Sequence, residues 1–205
     1  MDNINYWNNF YKNSHNLLPS QFAVFIASEY PDKKNLIDFG CGSGRDTFFL
    51  SKLYKKVIGI DASSEIINSN NMSQNTKKNL TFLLNDLSNE KLLKNLIQDE
   101  FKDIDNCIFY ARFFLHAIDE SVEDKFLKFY NNLKNRSNIL ALEFRTNKDQ
   151  FLEKEYGNHY RRFVDPKQLI SKLDKMGMII NYFIEGQGYA KYKNDDAYVA
   201  RLIVS

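Results

Sequence analysis

Short apolar runs and amphipathic stretches alternate along most of the chain. The apolar runs predict strands at Asn35–Phe39, Val57–Ile60, Leu80–Leu84, Ile104–Tyr110 and Asn138–Phe144. Apolar residues three and four apart predict helices between them, at 44–54, from Ser63 or Ser64 onward, at 87–97 and at 122–133. In the first of these helices, Phe48, Phe49 and Leu53 are expected to face inward. This alternation is typical of a doubly wound, mostly parallel sheet with helices on both faces.

The two ends of the chain depart from the alternation. Ser20 can cap a helix that stops before Pro31, and Asp165 can cap a helix that has Pro166 in its first turn. Two strands close the chain, at 179–185 and 197–204, with no helix between them. They predict a hairpin, and with it a seventh strand and an antiparallel edge strand.

The pattern predicts one α/β domain over residues 1–205, because no linker, repeat or low-complexity segment interrupts it. Residues 1–30 are expected to form a helical cap or lid. Residues 31–144 form the predicted cofactor half, and residues 145–205 form the acceptor side with the hairpin.

Charge and cysteine content narrow the function. The 28 basic and 26 acidic residues are mixed and give a net charge of +2, so no basic block indicates nucleic-acid binding. No apolar run reaches the ~20 residues that span a bilayer, and the first ten residues do not resemble a secretory signal. Cys41 and Cys107 form neither a disulfide framework nor a metal-ligand pattern. These features predict a cytoplasmic protein without a metal site.

Three alternating glycines follow the first predicted strand, at Gly40, Gly42 and Gly44. Glycine permits close approach of a ligand to a strand-to-helix turn. A dinucleotide fingerprint would need its third glycine where Arg45 stands, and Asp38 would repel a pyrophosphate. Asp38 suits an ammonium group instead.

Two further acids follow the next two strands. Asp61 lies 21 residues after Gly40, where a carboxylate can accept hydrogen bonds from both ribose hydroxyls of an adenosine. Asp86 follows the third strand and can accept a hydrogen bond from an adenine amino group. The ligand that these acids describe has an amine, a ribose and an adenine but no phosphate. S-adenosylmethionine fits that description.

The segments Ile37–Asp46, Val57–Asp61 and Asn85-Asp86 together resemble the class I, Rossmann-like S-adenosylmethionine-dependent methyltransferases, from about residue 20 to the chain end. The resemblance implies that the cofactor is S-adenosylmethionine and the product S-adenosylhomocysteine. It implies that the glycine loop and Asp38 hold the methionine moiety, Asp61 the ribose and Asp86 the adenine. The predicted cofactor contacts are Asp38, Gly40, Gly42, Gly44, Arg45, Asp61, Ala62, Asp86, Leu87 and Tyr110.

The N-terminal aromatic residues Tyr6, Trp7, Phe10 and Tyr11 share one helical face. They fit a lid over the cofactor, with Tyr11 and Ser20 reaching its methionine end. An amphipathic helix that caps the core would show the same pattern.

The acceptor is expected beyond the fourth and fifth strands. The segment Tyr110–His116 lacks the motifs of nucleobase methyltransferases, which favours a small-molecule acceptor. His116 is the candidate general base, because an unperturbed imidazole titrates near neutral pH, and a packing or capping histidine is the alternative. Arg112 can position the acceptor or pair with Asp119 or Glu120.

Five of the seven arginines lie in the motif segments, which favours an anionic acceptor carrying phosphate or carboxylate. Pairing with nearby acids is the alternative. The predicted acceptor contacts are Glu143, Arg145, His159, Tyr160, Arg161 and Arg162. The Tyr110–His116 and His159–Phe163 patterns resemble small-molecule methyltransferases of bacterial surface-glycan gene clusters. That resemblance implies O-methylation of a sugar or phosphorylated metabolite.

Four other functions remain open from the sequence. They are N-methylation of a small amine, methylation of RNA or protein, cofactor binding without catalysis, and, should the nucleotide be a nicotinamide dinucleotide, an oxidoreductase. Turnover with any acceptor would exclude the purely regulatory function.

Overall fold

A computed structural model describes residues 18–73, 78–86, 90–101, 104–133, 135, 137–152 and 161–205. The predicted N-terminal aromatic helix and four predicted site residues lie outside these ranges: Tyr11, Leu87, His159 and Tyr160. The described strands are β1 (Asn35–Phe39), β2 (Lys56–Asp61), β3 (Leu80–Leu84), β4 (Cys107–Arg112), β5 (Ile139–Arg145), β6 (Ile180–Gly186), β7 (Lys191–Tyr192), β8 (Asp195–Asp196) and β9 (Val199–Val204). The described helices are α1 (Gln21–Glu29), α2 (Arg45–Leu50), α3 (Ser64–Ser73), α4 (Glu90–Glu100), α5 (Glu120–Leu133) and α6 (Pro166–Lys175). Two 3-10 turns lie at Leu115–Ala117 and Asn147–Phe151.

Seven strands form one sheet in the order β3-β2-β1-β4-β5-β9-β6, which confirms the predicted doubly wound, mostly parallel architecture. β1 pairs in parallel with β2 on one side and with β4 on the other. The chain order therefore reverses beside β1. Open α/β sheets bind ligands at such a point, outside the carboxyl ends of the strands.

The C-terminal hairpin lies differently from the prediction. The antiparallel strand is β9, and it lies between β5 and β6 rather than at the sheet edge. Every residue of β9 is buried, whereas burial along β6 is only partial. The more apolar of the two strands thus takes the inner position, because there it is covered on both faces and paired along both edges.

The helix after the glycine loop is shorter than predicted. It runs from Arg45 to Leu50, and Leu53 is exposed instead of facing the core. Two other helix starts agree with the sequence. The Ser63 hydroxyl accepts a hydrogen bond from the backbone N–H of Ile66, and the Asp165 carboxylate accepts from the N–H groups of Lys167 and Gln168.

Alternate residues of the central strands enter two cores, one on each face of the sheet. On β4, Phe109 and Ala111 face the core that is shared with α5, while Ile108 and Tyr110 face the core that is shared with α1. Arg112 continues the same alternation as Tyr110. A polar residue at the end of this strand is therefore expected on the side of α1 and α2.

Gly59 of β2 marks a place where the sheet and the glycine loop pack too closely for a side chain. A Cβ atom at this position would lie 2.7 Å from the Phe82 ring and 3.1 Å from the Cys41 sulfur. We expect Gly59→Ala to lower the free energy of unfolding by about 1–3 kcal/mol through overpacking. Urea unfolding measures the change.

Gly177→Ala is the matched control, because a Cβ there meets nothing within 4 Å although φ is +70°. Its cost should arise from backbone strain alone, about 1 kcal/mol. A Gly59→Ala protein as stable as the wild type would contradict the close packing.

Candidate active site

The glycine loop turns sharply at the carboxyl end of β1. Gly40, Gly42 and Gly44 all have positive φ, at 71°, 51° and 70°, a conformation that other residues adopt at a cost. The N–H groups of Gly40 and Cys41 both donate to the carbonyl of Ile60, at 2.8 and 3.0 Å. These bonds hold the loop against the end of β2, where Gly42 and Gly44 are buried and Gly40, Cys41 and Ser43 are half-buried.

Asp38 lies on β1, two residues before the first glycine, and its side chain is buried. The Thr47 hydroxyl donates to its carboxylate at 2.6 Å. Burial raises the pKa of Asp38 to about 8, and the negative charges of Asp46 and Asp61 add to the effect. An ammonium group beside this carboxylate would favour its ionised form, so Asp38 suits the amino group of the methionine moiety.

Asp61 ends β2 and is tied to the glycine loop. Its carboxylate accepts hydrogen bonds from the N–H groups of Gly42 and Ser63, both at 2.9 Å. Burial raises the pKa of Asp61 despite these bonds. Carboxylate oxygens have further lone pairs, so Asp61 can still accept hydrogen bonds from ribose hydroxyls. Ala62 follows it and is exposed.

The end of β3 offers two polar side chains for an adenine. Asp86 is exposed, while its neighbour Asn85 is buried. The Asn85 side-chain oxygen has no hydrogen-bond partner within the described ranges. A buried oxygen of this kind is costly unless a donor reaches it, and an amino group of a bound purine would supply one. Asn85 was not among the predicted contacts, although its polar side chain follows β3 directly.

Asp46 in α2 is a further buried acid that the sequence analysis missed. Its carboxylate accepts from the backbone N–H and the hydroxyl of Ser20, at 2.7 and 2.6 Å, and from the Tyr110 hydroxyl at 2.8 Å. Arg45 approaches it at 3.3 Å. Burial alone would raise the pKa of Asp46, but the charges of Arg112 and Arg45 and the Ser20 hydrogen bonds hold it below the usual value. Three predicted cofactor contacts, Ser20, Arg45 and Tyr110, thus meet at one carboxylate.

Arg112 at the end of β4 pairs with Glu143 of β5, not with Asp119 or Glu120. Its Nε donates to Glu143 Oε1 at 2.8 Å, and its guanidinium carbon lies 4.1 Å from the centre of the Phe113 ring. Glu143 is fully buried, and its other oxygen accepts from Arg201 Nε at 2.7 Å. Arg201 was outside the predicted set, because its position on β9 is set by the hairpin topology.

Two of the predicted acceptor arginines are held by protein groups. Arg145 is buried and donates to Asp149 at 2.8 Å and to Asp195 at 2.6 Å. Arg162 donates to the carbonyls of Leu115 and Ile118 and pairs with Glu123. Arg161 is partly buried. For Arg145 and Arg162 the geometry thus favours the ion-pair alternative over binding of an anionic acceptor.

His116 lies in the 3-10 turn after β4 and is 3% exposed. Its ring stands 5.0 Å from that of Phe113, and its carbonyl accepts the N–H of Arg162 at 2.8 Å. Phe113 has a φ of +55°, an uncommon conformation for a bulky residue. Its N–H donates to the Glu143 carbonyl at 2.7 Å. This turn places an aromatic ring and an imidazole together beside the strand ends.

The described residues contain no cluster of three or more His, Cys, Asp or Glu side chains arranged to hold a metal ion. Within the same part of the chain, no helix has the length and apolar character needed to cross a bilayer.

The sheet order, the glycine loop and the polar groups at three neighbouring strand ends define a Rossmann-like S-adenosylmethionine-binding domain. Residues 31–193 match the family model of a methyltransferase domain. A segment of 35 residues is 49% identical to the probable S-adenosylmethionine-dependent methyltransferase CRG1 of Saccharomyces cerevisiae. The segment covers 17% of this chain and 12% of that protein's length.

Solved structures show the same fold over nearly the whole chain. An S-adenosylmethionine-dependent methyltransferase from Anabaena variabilis superimposes with a TM-score of 0.71 at 22% identity, over 98% of this chain and 92% of that one. The glycopeptide N-methyltransferase MtfA, complexed with S-adenosylmethionine, gives 0.67 at 12% identity, over 94% and 89%. The [4+2]-cyclase SpnF gives 0.66 at 13% identity, over 93% and 84%.

The chain therefore belongs to the class I S-adenosylmethionine-dependent methyltransferases, and its cofactor is S-adenosylmethionine. The described residues fit that cofactor, because a buried carboxylate on β1, a glycine loop after the same strand, the Asp61 carboxylate at the end of β2 and an unsatisfied amide oxygen after β3 lie at the carboxyl ends of neighbouring strands.

Cofactor binding should depend on pH through Asp38. Its carboxyl is largely protonated below its pKa of about 8, and only the ionised form attracts the ammonium group. We expect the affinity for S-adenosylhomocysteine to rise as pH increases from 6 to 8, by up to about tenfold per pH unit. Titration calorimetry measures it. In Asp38→Asn the affinity should be low and this slope absent, and a wild-type affinity that is flat with pH would contradict the assignment.

The same shift predicts a change in stability. The pKa of Asp38 is raised from 3.8 to about 8, so between these values the unfolded chain releases a proton that the folded chain keeps. The carboxyl therefore destabilises the fold increasingly as pH rises. We expect Asp38→Asn to gain stability over the wild type between pH 5 and 8, by at most about 1.4 kcal/mol per pH unit. Urea unfolding at several pH values measures the gain.

The exposed Asp174 of α6 supplies the control for this measurement. Asp174→Asn measures what the loss of an exposed carboxyl does to stability at each pH. A stability difference for Asp38→Asn that changes with pH no more than that of Asp174→Asn would contradict the raised pKa of Asp38.

Proposed function

We propose that the protein transfers the methyl group of S-adenosylmethionine to a small-molecule acceptor at the carboxyl ends of β4 and β5. The proposal rests chiefly on Asp38, a buried carboxylate with a raised pKa. It lies beside a glycine loop whose sequence departs from the pattern that binds dinucleotide phosphates. When bound, the cofactor supplies an electrophilic methyl group. The chain's own residues must then hold the acceptor in line, exclude water and, for a hydroxyl acceptor, take up a proton.

The loop between β6 and β9, here called the acceptor-side loop (residues 187–198), supports a small acceptor. Arg145 ties it to β5 through Asp195, and Arg201 donates to the Tyr189 carbonyl at 2.7 Å. Phe113 and Tyr189 pack against an apolar cluster of Ala190, Ala197 and Val199. A loop fastened in this way covers the β4 and β5 ends, where a macromolecular acceptor would need an open surface.

His116 is the proposed general base for O-methylation, because its ring lies 5.0 Å from the ring of Phe113, which packs against this loop. The two sequence patterns of the acceptor side favour a sugar or phosphorylated metabolite of surface-polysaccharide synthesis. The geometry gives less support to the anionic part of that hypothesis, since Arg145 and Arg162 already have acidic partners.

N-methylation of a small amine is the second candidate, and Asp195 favours it. Asp195 is buried, and one of its carboxylate oxygens has no hydrogen-bond partner in the described part of the chain. Together with Asp149 it outnumbers the single cation Arg145. An ammonium or amine donor would satisfy both the oxygen and the remaining negative charge.

Incubation with methyl-labelled S-adenosylmethionine tests the function directly. Separate reactions would contain small sugars and sugar phosphates, small amines, total RNA, and denatured protein. Label in a small-molecule product supports the proposal, and the sugar and amine reactions distinguish its two candidates. Label only in RNA or protein would overturn the small acceptor. No transfer to any class, despite cofactor binding, would favour another reaction on this fold.

His116 variants test the proposed base once an acceptor is known. If His116 removes the acceptor's proton, we expect His116→Ala and His116→Asn to slow turnover by about 10²–10⁴-fold. Affinity for S-adenosylhomocysteine should stay within a factor of two or so, which serves as the folding control. Near-normal rates in both variants would remove His116 as base and favour amine methylation.

A further inference from the structure

The cofactor carries a carboxylate as well as an amino group on the same carbon atom. Asp38 accounts for the amino group, and the receptor for the carboxylate must therefore lie close to Asp38. Asp38 and Tyr110 are direct partners on the neighbouring strands β1 and β4. Arg112 lies two residues after Tyr110 on the same face of β4.

We infer that Arg112, held in place by Glu143 and Phe113, binds the carboxylate of the cofactor's methionine moiety. This inference rests on the cofactor assignment and not on the identity of the acceptor.

The protein fixes the guanidinium of Arg112 through one nitrogen and leaves its other N–H groups available to a ligand. Its Nε donates to Glu143, and its plane is supported by the Phe113 ring. Within the described ranges, Nη1 and Nη2 donate to no protein acceptor, and the side chain keeps 18% of its surface exposed. An arginine anchored through Nε presents both Nη groups as a fork, the geometry that suits a carboxylate.

Glu143 makes this arrangement rigid. It is fully buried, with one oxygen on Arg112 and the other on Arg201 at 2.7 Å. Arg201 in turn lies 5.3 Å from the ring centres of Phe22 and Phe25 in α1. The carboxylate of Glu143 therefore cannot swing away from Arg112 without leaving a second buried guanidinium uncompensated.

Positive charges outnumber negative ones in the ion pairs beside Arg112. Within the groups Arg45–Asp46 and Arg112–Glu143–Arg201, three guanidinium groups face two carboxylates. The amino acid end of the cofactor would add its carboxylate to this group and its ammonium to Asp38. Both ends of the zwitterion would then meet opposite charge in a largely desolvated site.

Arg45 is the competing receptor, and its contacts are weaker. Its Nε approaches Asp46 at 3.3 Å, close to the limit for a hydrogen bond, and its side chain is 21% exposed. No second contact like that of Arg112 with Phe113 orients it in the described structure. It therefore serves as the matched control.

Three ligands that differ only in the amino acid end separate the possibilities in titration calorimetry. S-adenosylhomocysteine has both groups. The 3-aminopropyl thioether of 5′-deoxyadenosine has the amine but no carboxylate, and 5′-methylthioadenosine has neither. We expect Arg112→Met to lower the affinity for S-adenosylhomocysteine by about 10–100-fold. Its affinity for the two ligands without a carboxylate should fall by no more than about threefold. Asp38→Asn should lower the affinity for both amine-bearing ligands and leave the affinity for 5′-methylthioadenosine unchanged.

Glu143→Gln tests the positioning role and covers the case in which Arg112→Met does not fold. Loss of the charged anchor should lower the affinity for S-adenosylhomocysteine more than that for the two ligands without a carboxylate, but by less than Arg112→Met does. Arg112→Lys should restore only part of the preference for the carboxylate-bearing ligand, because lysine lacks the fork of a guanidinium. A carboxylate-selective loss in Arg45→Met rather than in the Arg112 variants would reassign the receptor to Arg45. Equal loss for all three ligands in the Arg112 and Glu143 variants would overturn the inference. Failure of the wild type to bind S-adenosylhomocysteine would instead reject the cofactor assignment.

Discussion

The buried carboxylate of Asp46 joins three parts of the molecule that meet at the candidate cofactor site. It accepts hydrogen bonds from Ser20 at the start of α1 and from Tyr110 on β4, while belonging itself to the helix that begins at the glycine loop. A buried carboxylate without such partners would lose its charge or destabilise the fold. The Asp46 carboxylate thus links the helix after the glycine loop to the start of α1 and to β4.

At the carboxyl ends of β4 and β5, the proposed acceptor side, buried arginines link several elements in the way that the Asp46 carboxylate does at the glycine loop. Arg145 joins β5 to the acceptor-side loop, and Arg201 joins β9 to that loop and to Glu143. Removing one partner of a buried pair is costly because the other charge stays behind. These ion pairs therefore hold a loop over the strand ends that the small apolar cluster around Phe113 would fasten only weakly by itself.

The burial of Asp38, the proposed receptor of the cofactor's amino group, lowers the stability of the fold. Its burial raises its pKa to about 8, so near neutral pH the unliganded protein holds a carboxyl that resists ionisation. A ligand ammonium would remove that penalty. In the proposed role of Asp38, the same burial that lowers the stability of the unliganded protein strengthens the attraction for the cofactor's ammonium group.

The sequence by itself determined the fold class, the positions of the strands near Asp38, Asp61 and Asp86, and the nature of the cofactor. These features are local, because a strand, a tight turn and a helix start depend on residues that are neighbours in the chain. Helix caps at Ser20, Ser63 and Asp165 were predictable for the same reason. The sequence also overextended the first core helix, since Leu53 has the spacing of a buried residue but lies beyond the point where α2 ends.

Only the tertiary structure decided which charges meet. For Arg112 the sequence left open a role in positioning the acceptor and a pair with Asp119 or Glu120, yet its partner is Glu143, which the parallel pairing of β4 and β5 places directly opposite. Arg201 and Asp195 reach the site through the position of β9 inside the sheet, which the hairpin pattern did not specify. Asp46 and Asn85 stand inside segments that carry the family resemblance, but the pattern did not mark them as contacts. The burial of both side chains, and the distant partners Ser20 and Tyr110 of Asp46, depend on the tertiary structure and not on the spacing of residues along the chain.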